Sequence, residues 1–88
     1  MLGVCGYLVY SVAILFSQGQ FQIQVKDSHG TILLAETAKK VRASNGSMDL
    51  KSENAFVDVD YKTQTALLSF EASGAKVEAK DLKCAWSM

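Results

Sequence analysis

Most of the chain alternates apolar and polar residues with a period of two. In the clearest segment, Phe21, Ile23 and Val25 are separated by glutamines. The same alternation recurs in residues 48–51, 55–61, 75–80 and 82–86. This pattern is typical of strands with one buried face and one wet face. We therefore expect an all-β body of short antiparallel strands, arranged as hairpins or as β-roll repeats.

Turn residues separate these alternating segments. Asp27-Ser28-His29-Gly30 ends the first of them, and Asn45-Gly46, Lys62-Thr63-Gln64 and Ser73-Gly74 lie between the later ones. Asn-Gly is the dipeptide that most readily adopts the positive φ angles of a two-residue hairpin turn. The turns therefore support the strand prediction.

Residues 31–43 are ambiguous, because Leu34, Ala38 and Val41 would also lie on one stripe of a helix. An internal comparison favours strands. Residues 33–52 and 67–84 share the order Leu-Leu, Glu, Ala, Lys-Val-x-Ala, Asp-Leu-Lys. If these are two related units, Ser73-Gly74 in the second predicts a strand-turn-strand in both.

The first nineteen residues differ from the rest. Leu2 to Phe16 is apolar except for two Gly, two Tyr and one Ser, and no charged side chain precedes Lys26. A helix of this length falls short of a hydrocarbon core of about 30 Å. A signal peptide cleaved after Gly19 therefore fits better than an uncleaved anchor, and a buried strand or helix is the third alternative. We expect an apolar helix, signal or anchor, in residues 1–19, ahead of a β-repeat domain in residues 20–88.

The composition narrows the classes of function. The 88 residues contain nine basic and nine acidic side chains, two cysteines and one histidine. This inventory excludes a basic nucleic-acid binder and a cysteine-ligated zinc module. His29 would need a nucleophile and an acid from distant segments to act in catalysis, and Asp58 with Asp60 falls short of the six oxygens of a calcium site. We predict a protein that is not an enzyme and has no cofactor and no nucleic-acid partner.

Three features bear on assembly if the chain is exported. Asn45-Gly46-Ser47 is an N-glycosylation acceptor in a predicted turn. If a signal peptide is removed, or if a membrane separates the two cysteines, Cys84 cannot bond to Cys5. Cys84 is then a candidate for a disulfide with another chain; the alternative is that Cys84 is a small buried residue. The terminal strands Phe21 to Val25 and Leu82 to Trp86 would be open to pairing with a further chain.

A family resemblance rests on four stretches of the body. They are Phe21-Gln22-Ile23, Gly30 to Leu34, Asp49 to Glu53, and Leu67 to Ala72 followed by Gly74 and Val77. In these the body resembles the extracellular region of the β/γ/δ/ζ sarcoglycans, which are single-pass membrane glycoproteins. The resemblance implies a structural subunit of a membrane-associated complex between cytoskeleton and extracellular matrix, with other subunits as partners and residues 1–19 in the membrane. The chain departs from the family in having few repeats and no C-terminal cysteine cluster.

A second class of function is a small secreted or periplasmic β-sandwich or β-roll that binds an apolar ligand or lipid. In both classes the protein works outside the cytoplasm, as a membrane-anchored extracellular body or as a secreted one. The candidate residues for the apolar face are Phe21, Ile23, Val57, Val59, Leu67, Phe70 and Trp86.

Overall fold

The computed structural model describes residues 2–6 and 9–87, with the side chains of Leu2, Trp86 and Ser87 left out. In this part of the chain nine β-strands form, and the all-β class expected from the alternation is confirmed. The strands are β1 (Leu2–Gly6), β2 (Tyr10–Ser17), β3 (Gln20–Asp27), β4 (Ile32–Thr37), β5 (Lys40–Ser44), β6 (Ser47–Lys51), β7 (Ala55–Asp60), β8 (Thr65–Ala72) and β9 (Ala75–Ser87).

All of these strands belong to one antiparallel sheet, which curls into a half-barrel. The strand order is β4-β3-β2-β1-β9-β8-β7-β6-β5, so the sheet consists of an N-terminal meander (β1–β4) and a C-terminal meander (β5–β9). Within the described residues, one ladder joins the two meanders, between β1 and β9. The two edges of the sheet, β4 and β5, are consecutive in sequence and are linked by Ala38 and Lys39.

Tight turns set the register of the hairpins. Gln18 and Gly19 have φ angles of 55° and 76°, and Ser73 and Gly74 have 54° and 78°. Positive φ at both positions is what a type I′ turn requires, and its twist matches that of the flanking strands. The turns predicted at residues 45–46, 62–64 and 73–74 are all present.

Residues 31–43 form two strands rather than a helix, as the internal comparison predicts, but the strands are joined through a bend at Lys39 and not by a hairpin turn. Ala38 and Lys39 separate β4 from β5, and Ser73 and Gly74 separate β8 from β9. The pairing nevertheless differs between the two units, because β8 and β9 pair with each other whereas β4 and β5 lie at opposite edges. The similarity of the two units is therefore local and does not extend to their places in the sheet.

The N-terminal residues differ from the expected helix. Over the described part of residues 1–19 the chain forms β1 and β2, and Gly3 and Gly6 in β1 disfavour a helix. Valine, isoleucine and tyrosine favour strands, and pairing with β9 and β3 gives the backbone groups their partners. The boundary expected between residues 19 and 20 falls within the β2–β3 hairpin.

Within residues 2–6 and 9–87, no helix has the length and apolar character needed to cross a membrane.

The concave face of the sheet holds the core, to which both meanders contribute. Ile14 and Ile23 from one meander and Leu50 and Leu68 from the other are fully buried in the same cluster. Each such side chain contributes about 1.5–3 kcal/mol by leaving water. The ring of Tyr10 also contacts that of Phe70 edge to face, with 5.3 Å between centroids. The two meanders therefore depend on one shared core.

Candidate functional site

The backbone of β4 divides its hydrogen-bonding groups between β3 and the open edge of the sheet. Ala38 donates its N–H to the carbonyl oxygen of Phe21 at 2.8 Å, which sets the phase of the β3–β4 ladder. In an antiparallel ladder, successive residues alternately bond the neighbouring strand and point away from it. The phase directs the N–H and C=O groups of two β4 residues, Ala35 and Thr37, to the open edge. At Leu33 the alternation is interrupted, because the register shifts between the Val25–Leu34 and Lys26–Ile32 pairs. The side chains of Ala35 and Thr37 are exposed.

β5 has the same arrangement at the opposite edge. Ser44 and Ser47 flank the two-residue turn Asn45-Gly46, and residues in these positions form a hydrogen-bonded pair. Ser44 therefore directs its backbone groups to β6. Alternation from Ser44 directs the backbone groups of Val41 and Ala43 to the open edge. Every residue of β5 is exposed. Both edges therefore offer backbone donors and acceptors to another strand.

The two edges differ in charge. β5 carries Lys40 and Arg42, and such charges on an edge oppose pairing with another chain. β4 reads Ile-Leu-Leu-Ala-Glu-Thr, with Ile32 55% exposed and Leu33 36% exposed. Its one charged residue, Glu36, is bound within the chain. β4 is therefore the less protected edge.

Glu36 fastens β4 to the turn between β6 and β7. Its Oε1 accepts hydrogen bonds from Ser52 Oγ at 2.7 Å and from the Asn54 N–H at 2.9 Å, and its Oε2 accepts one from Asn54 Nδ2 at 2.7 Å. Partial burial acts to raise the pKa of Glu36, but these hydrogen bonds, aided by the charge of Lys39, hold that pKa below its usual range. We call these three residues the Glu36 clasp. It links the two meanders on the side opposite the β1–β9 ladder.

Cys84 forms a disulfide with Cys5, which corrects the expectation of a bond to another chain. The two residues lie opposite each other in the β1–β9 register, with 4.0 Å between their Cα atoms. The expectation was wrong because it placed Cys5 in a segment separate from the body, whereas β1 lies in the sheet beside β9. In this fold Cys84 has no thiol to offer to another chain.

Two aspartates face each other on the convex surface of the C-terminal meander. Asp49 lies opposite Asp58, and the hydrogen bond from the Tyr61 N–H to the Gly46 carbonyl shows that this is a non-hydrogen-bonded pair, in which side chains approach most closely. Partial burial raises the pKa of Asp58, and a hydrogen bond that protonated Asp58 donates to the Asp49 carboxylate, with the charges of Asp49 and Asp60, raises it further. In the part of the chain that the structure describes, no group of three or more His, Cys, Asp or Glu is placed to hold a metal ion.

Most of the residues proposed for the apolar face pack inside the half-barrel. Phe21 is partly buried against the core, and its ring lies 4.7 Å from that of Phe16. The side chain of Trp86 lies outside the described residues, although its backbone pairs with Gly3. The fully or almost fully buried candidates are Ile23, Val57, Val59 and Phe70.

Leu67 is the exception among these candidates. It lies on the convex side, where it borders an open depression of about 470 Å³ beside Asp58. The inward leucine of β8 is Leu68, which is fully buried. Because side chains alternate along a strand, Leu67 cannot share a face with Phe70, and the assignment of Leu67 to the inner face is corrected to Leu68.

Asn45 is exposed in the β5–β6 turn, where the sequence places the glycosylation acceptor. Sequence reasoning missed the Glu36 clasp. Glu36 is 16 residues from Ser52 and 18 from Asn54, and no local pattern marks such a contact. It also missed β4 and β5 as the sheet edges, since edge position depends on the strand order.

The chain has no match among protein family models, curated proteins or solved structures. The sarcoglycan relationship therefore stays a prediction from the four stretches that suggested it. Function has to be inferred from the geometry of the edges, the clasp and the disulfide.

Proposed function

We propose that the protein is a non-enzymatic structural subunit that works outside the cytoplasm and binds other protein chains through the edges of its sheet. The observation that carries this proposal is the pair of open edges. β4 directs the backbone groups of Ala35 and Thr37 outward, and β5 directs those of Val41 and Ala43. Unpaired edge groups of this kind form hydrogen bonds with an added strand.

The packed interior favours assembly over ligand binding. A protein that holds an apolar ligand or lipid needs space on its concave face. Here that face is filled by the protein's own side chains, among which Ile23, Val57 and Leu68 have no exposed surface. The groups that remain available for recognition lie on the edges and on the convex surface.

The disulfide supports a location outside the cytoplasm. Disulfides such as Cys5–Cys84 persist in oxidising compartments and are rare in the cytosol. Asn45 is exposed in its turn, as a glycosylated asparagine must be. Because β1 and β2 are part of the sheet and β1 supplies Cys5, this fold favours residues 1–19 as part of the folded body over their removal as a signal peptide or their use as an anchor. In a membrane-associated complex of the kind that the sarcoglycan resemblance implies, partner subunits would hold this protein at the membrane.

The mass of the native protein and the hydrogen-exchange rates of its edge-strand amides together test the proposal. We expect protein isolated from its natural source to have more than the monomer mass, and its β4 or β5 amides to exchange more slowly than in dilute recombinant protein. Replacing Ala35 and Ala43 together by proline removes one outward N–H from each edge and should abolish this difference. A natural form of monomer mass, with both edges exchanging as in the dilute protein, contradicts edge assembly. Saturable uptake of a hydrophobic dye by that monomer would support the ligand-binding alternative.

A further inference from the structure

The open edge of β5 has an uninterrupted set of donors and acceptors. The β5–β6 ladder keeps one register from Lys40 to Ser44, whereas the β3–β4 ladder shifts its register beside β4. Val41 and Ala43 are therefore successive outward residues on one regular edge. An antiparallel strand that forms hydrogen-bonded pairs with both of them places one of its own residues directly opposite Arg42.

The side chains of β5 alternate between two surfaces of different character. Val41 lies opposite the buried Leu50, which places Val41 and Ala43 on the concave side. Lys40 and Arg42 alternate with them and therefore lie on the convex side. Val41 is 45% exposed, so an added strand would cover apolar surface on one side and meet cations on the other.

The convex side of this edge carries three cations around a shallow depression. The depression has a volume of about 170 Å³ and is lined by Lys40, Arg42, Asp49, Lys51 and Phe56. Lys40 lies directly opposite Lys51 in the β5–β6 register. Like charges directly opposite each other destabilise an antiparallel pair. An anionic group beside Lys40 would offset this repulsion.

These cations are available to a partner. Within residues 2–6 and 9–87, the one ion pair joins Lys39 to Glu53, so none of the three cations is paired there. The single acid that lines the depression, Asp49, also faces Asp58 on β7. The depression therefore has an excess of positive charge.

We propose that β5 binds an extended segment of another protein in which acidic residues alternate with apolar ones. The inference rests on the proposed function, because both assign recognition to the sheet edges, and it adds the chemistry of the partner. The segment pairs antiparallel with β5 and bonds its backbone to Val41 and Ala43. Its acidic side chains lie on the convex side, one opposite Arg42 and the next opposite Lys40, and its apolar side chains extend the concave side.

The position opposite Arg42 suits a carboxylate. Relative to the added strand, Arg42 is in a non-hydrogen-bonded pair, in which side chains approach most closely. Arginine binds carboxylates with two parallel hydrogen bonds. The backbone bonds supply affinity, and the charges decide which strand is accepted. Lysine and arginine on an edge thus exclude neutral or basic strands and are complementary to an acidic one.

A second copy of this chain fits β5 less well. A two-fold pairing that joins Val41 to Ala43 of the second copy sets Arg42 directly opposite Arg42 of that copy, which is unfavourable. On the other edge, β4, the acidic residue is Glu36, and its carboxylate oxygens are already bound in the Glu36 clasp. The acidic strand therefore comes from a different protein.

Peptide binding to the full oxidised chain tests the proposal. The probe is a capped peptide containing Val-Glu-Val-Glu-Val, titrated by calorimetry. One control peptide has lysine in place of glutamate. A second has N-methyl-valine in place of valine, which keeps both charges but removes the N–H groups that would face β5. The acidic peptide should bind with a dissociation constant of about 100 μM or lower, and both controls should bind about tenfold more weakly or worse.

Matched variants locate the site. Ala43→Pro removes an outward N–H, and Lys40→Glu reverses one charge while placing an acid opposite Lys51, so both spare the ladder within the sheet. Each should weaken binding of the acidic peptide about three- to tenfold. Ala35→Pro on the other edge and Lys83→Glu on β9, which has neighbours on both sides, should leave it unchanged.

A gain of binding excludes an effect on folding. Lys40→Glu should bind the lysine peptide more tightly than the wild type does, which a damaged fold cannot produce. Circular dichroism confirms that each variant keeps its strands.

Four results would overturn the inference. The first is no binding of the acidic peptide at about 1 mM, and the second is equal binding of the N-methylated peptide, which would mean charge attraction alone. The third is a natural complex that Ala35→Pro disrupts and Ala43→Pro does not; the assembly role then stands, but the contact is on β4. The fourth is self-association that Ala43→Pro abolishes, which would make a second copy the partner.

Discussion

Cys5 lies directly opposite Cys84, and their disulfide joins the first strand to the last in the middle of the sheet. β1 and β9 form the ladder between the two meanders, so the disulfide reinforces the joint between the halves of the fold. The two cysteines are 79 residues apart, and the bond closes almost the whole chain into a ring. A ring of this size restricts the unfolded chain strongly.

Loss of the disulfide should therefore lower the free energy of unfolding by about 4–5 kcal/mol. The test compares urea unfolding of the wild type with and without reductant, and of the variant in which Cys5 and Cys84 are both alanine. Reductant should move the midpoint of the wild type and should not move that of the variant. Equal midpoints for the oxidised wild type and the variant would show that the bond adds nothing to stability.

Asp58 should make the protein less stable as the pH rises from acid to neutral. Its pKa is raised above the ordinary value of 3.8 by partial burial and by Asp49, so the folded chain binds this proton more tightly than the unfolded chain. The stabilisation is complete below pH 3.8 and is lost as the pH rises through the raised pKa. Asp58→Asn should remove this loss and stabilise the protein by about 0.5–1 kcal/mol near neutral pH.

Urea unfolding of wild type and Asp58→Asn across this pH range checks the prediction. Glu53→Gln is the control, because Glu53 is exposed and has one contact in the described structure, a 3.9 Å ion pair with Lys39. A constant difference between Asp58→Asn and the wild type at every pH would refute the role of the Asp49–Asp58 pair.

The Glu36 clasp should have the opposite pH dependence. Because hydrogen bonds hold the pKa of Glu36 below its ordinary value of 4.5, the clasp stabilises the protein above that pH and is lost as the pH falls through the lowered pKa. Glu36→Ala should cost about 1–2 kcal/mol at neutral pH, allowing for solvent around the carboxylate. Amides of β4 should also exchange faster in this variant.

Glu53→Ala is the matched control for the clasp, since it removes a second glutamate close to the same turn. Its ion pair with Lys39 is solvent-exposed, with both side chains more than two-thirds exposed, and should contribute less than about 0.5 kcal/mol. Similar losses in the two variants would mean that the hydrogen bonds of Glu36 carry no special weight.

Substituting the adjacent residues Leu67 and Leu68 tests which of the two side chains faces the core. Leu68→Ala should lower the free energy of unfolding by about 2–5 kcal/mol, because it leaves a cavity in the core. Leu67→Ala should cost less than about 1 kcal/mol, since Leu67 is only partly buried on the convex side. Thermal unfolding of the two variants measures both, and a larger loss for Leu67→Ala would reverse the assignment.

The strands of residues 20–88 could be predicted because one face of each strand is exposed to solvent. Ile23 and Val25 alternate with glutamine and lysine, and this period follows directly from a half-buried strand. β1 and β2 lack that signal. They lie in the middle of the sheet, and their convex positions carry uncharged residues such as Val4, Ala13 and Leu15. A strand that is apolar on both faces cannot be told from an apolar helix by periodicity.

The candidate site was less accessible to sequence reasoning than the fold. An edge strand has a neighbouring strand on one side only. β4 and β5 are edge strands because the pairing of β1 with β9 leaves them at the two ends of the strand order. The expected terminal strands near Phe21 and Leu82 instead lie within the sheet, in β3 and β9. The partners of Glu36 and of Cys5 come from distant segments of the chain.

The amino-acid sequence by itself determined the all-β class, the turns and the inward faces of most of the body, because alternation and turn chemistry act between residues that are close in the chain. Tertiary structure alone decided that the apolar N-terminal segment is part of the sheet, that Cys5 meets Cys84, and that β4 and β5 stay unpaired. These outcomes depend on which strands become neighbours. That choice is made by the free energy of burying one shared core, to which all parts of the chain contribute at once.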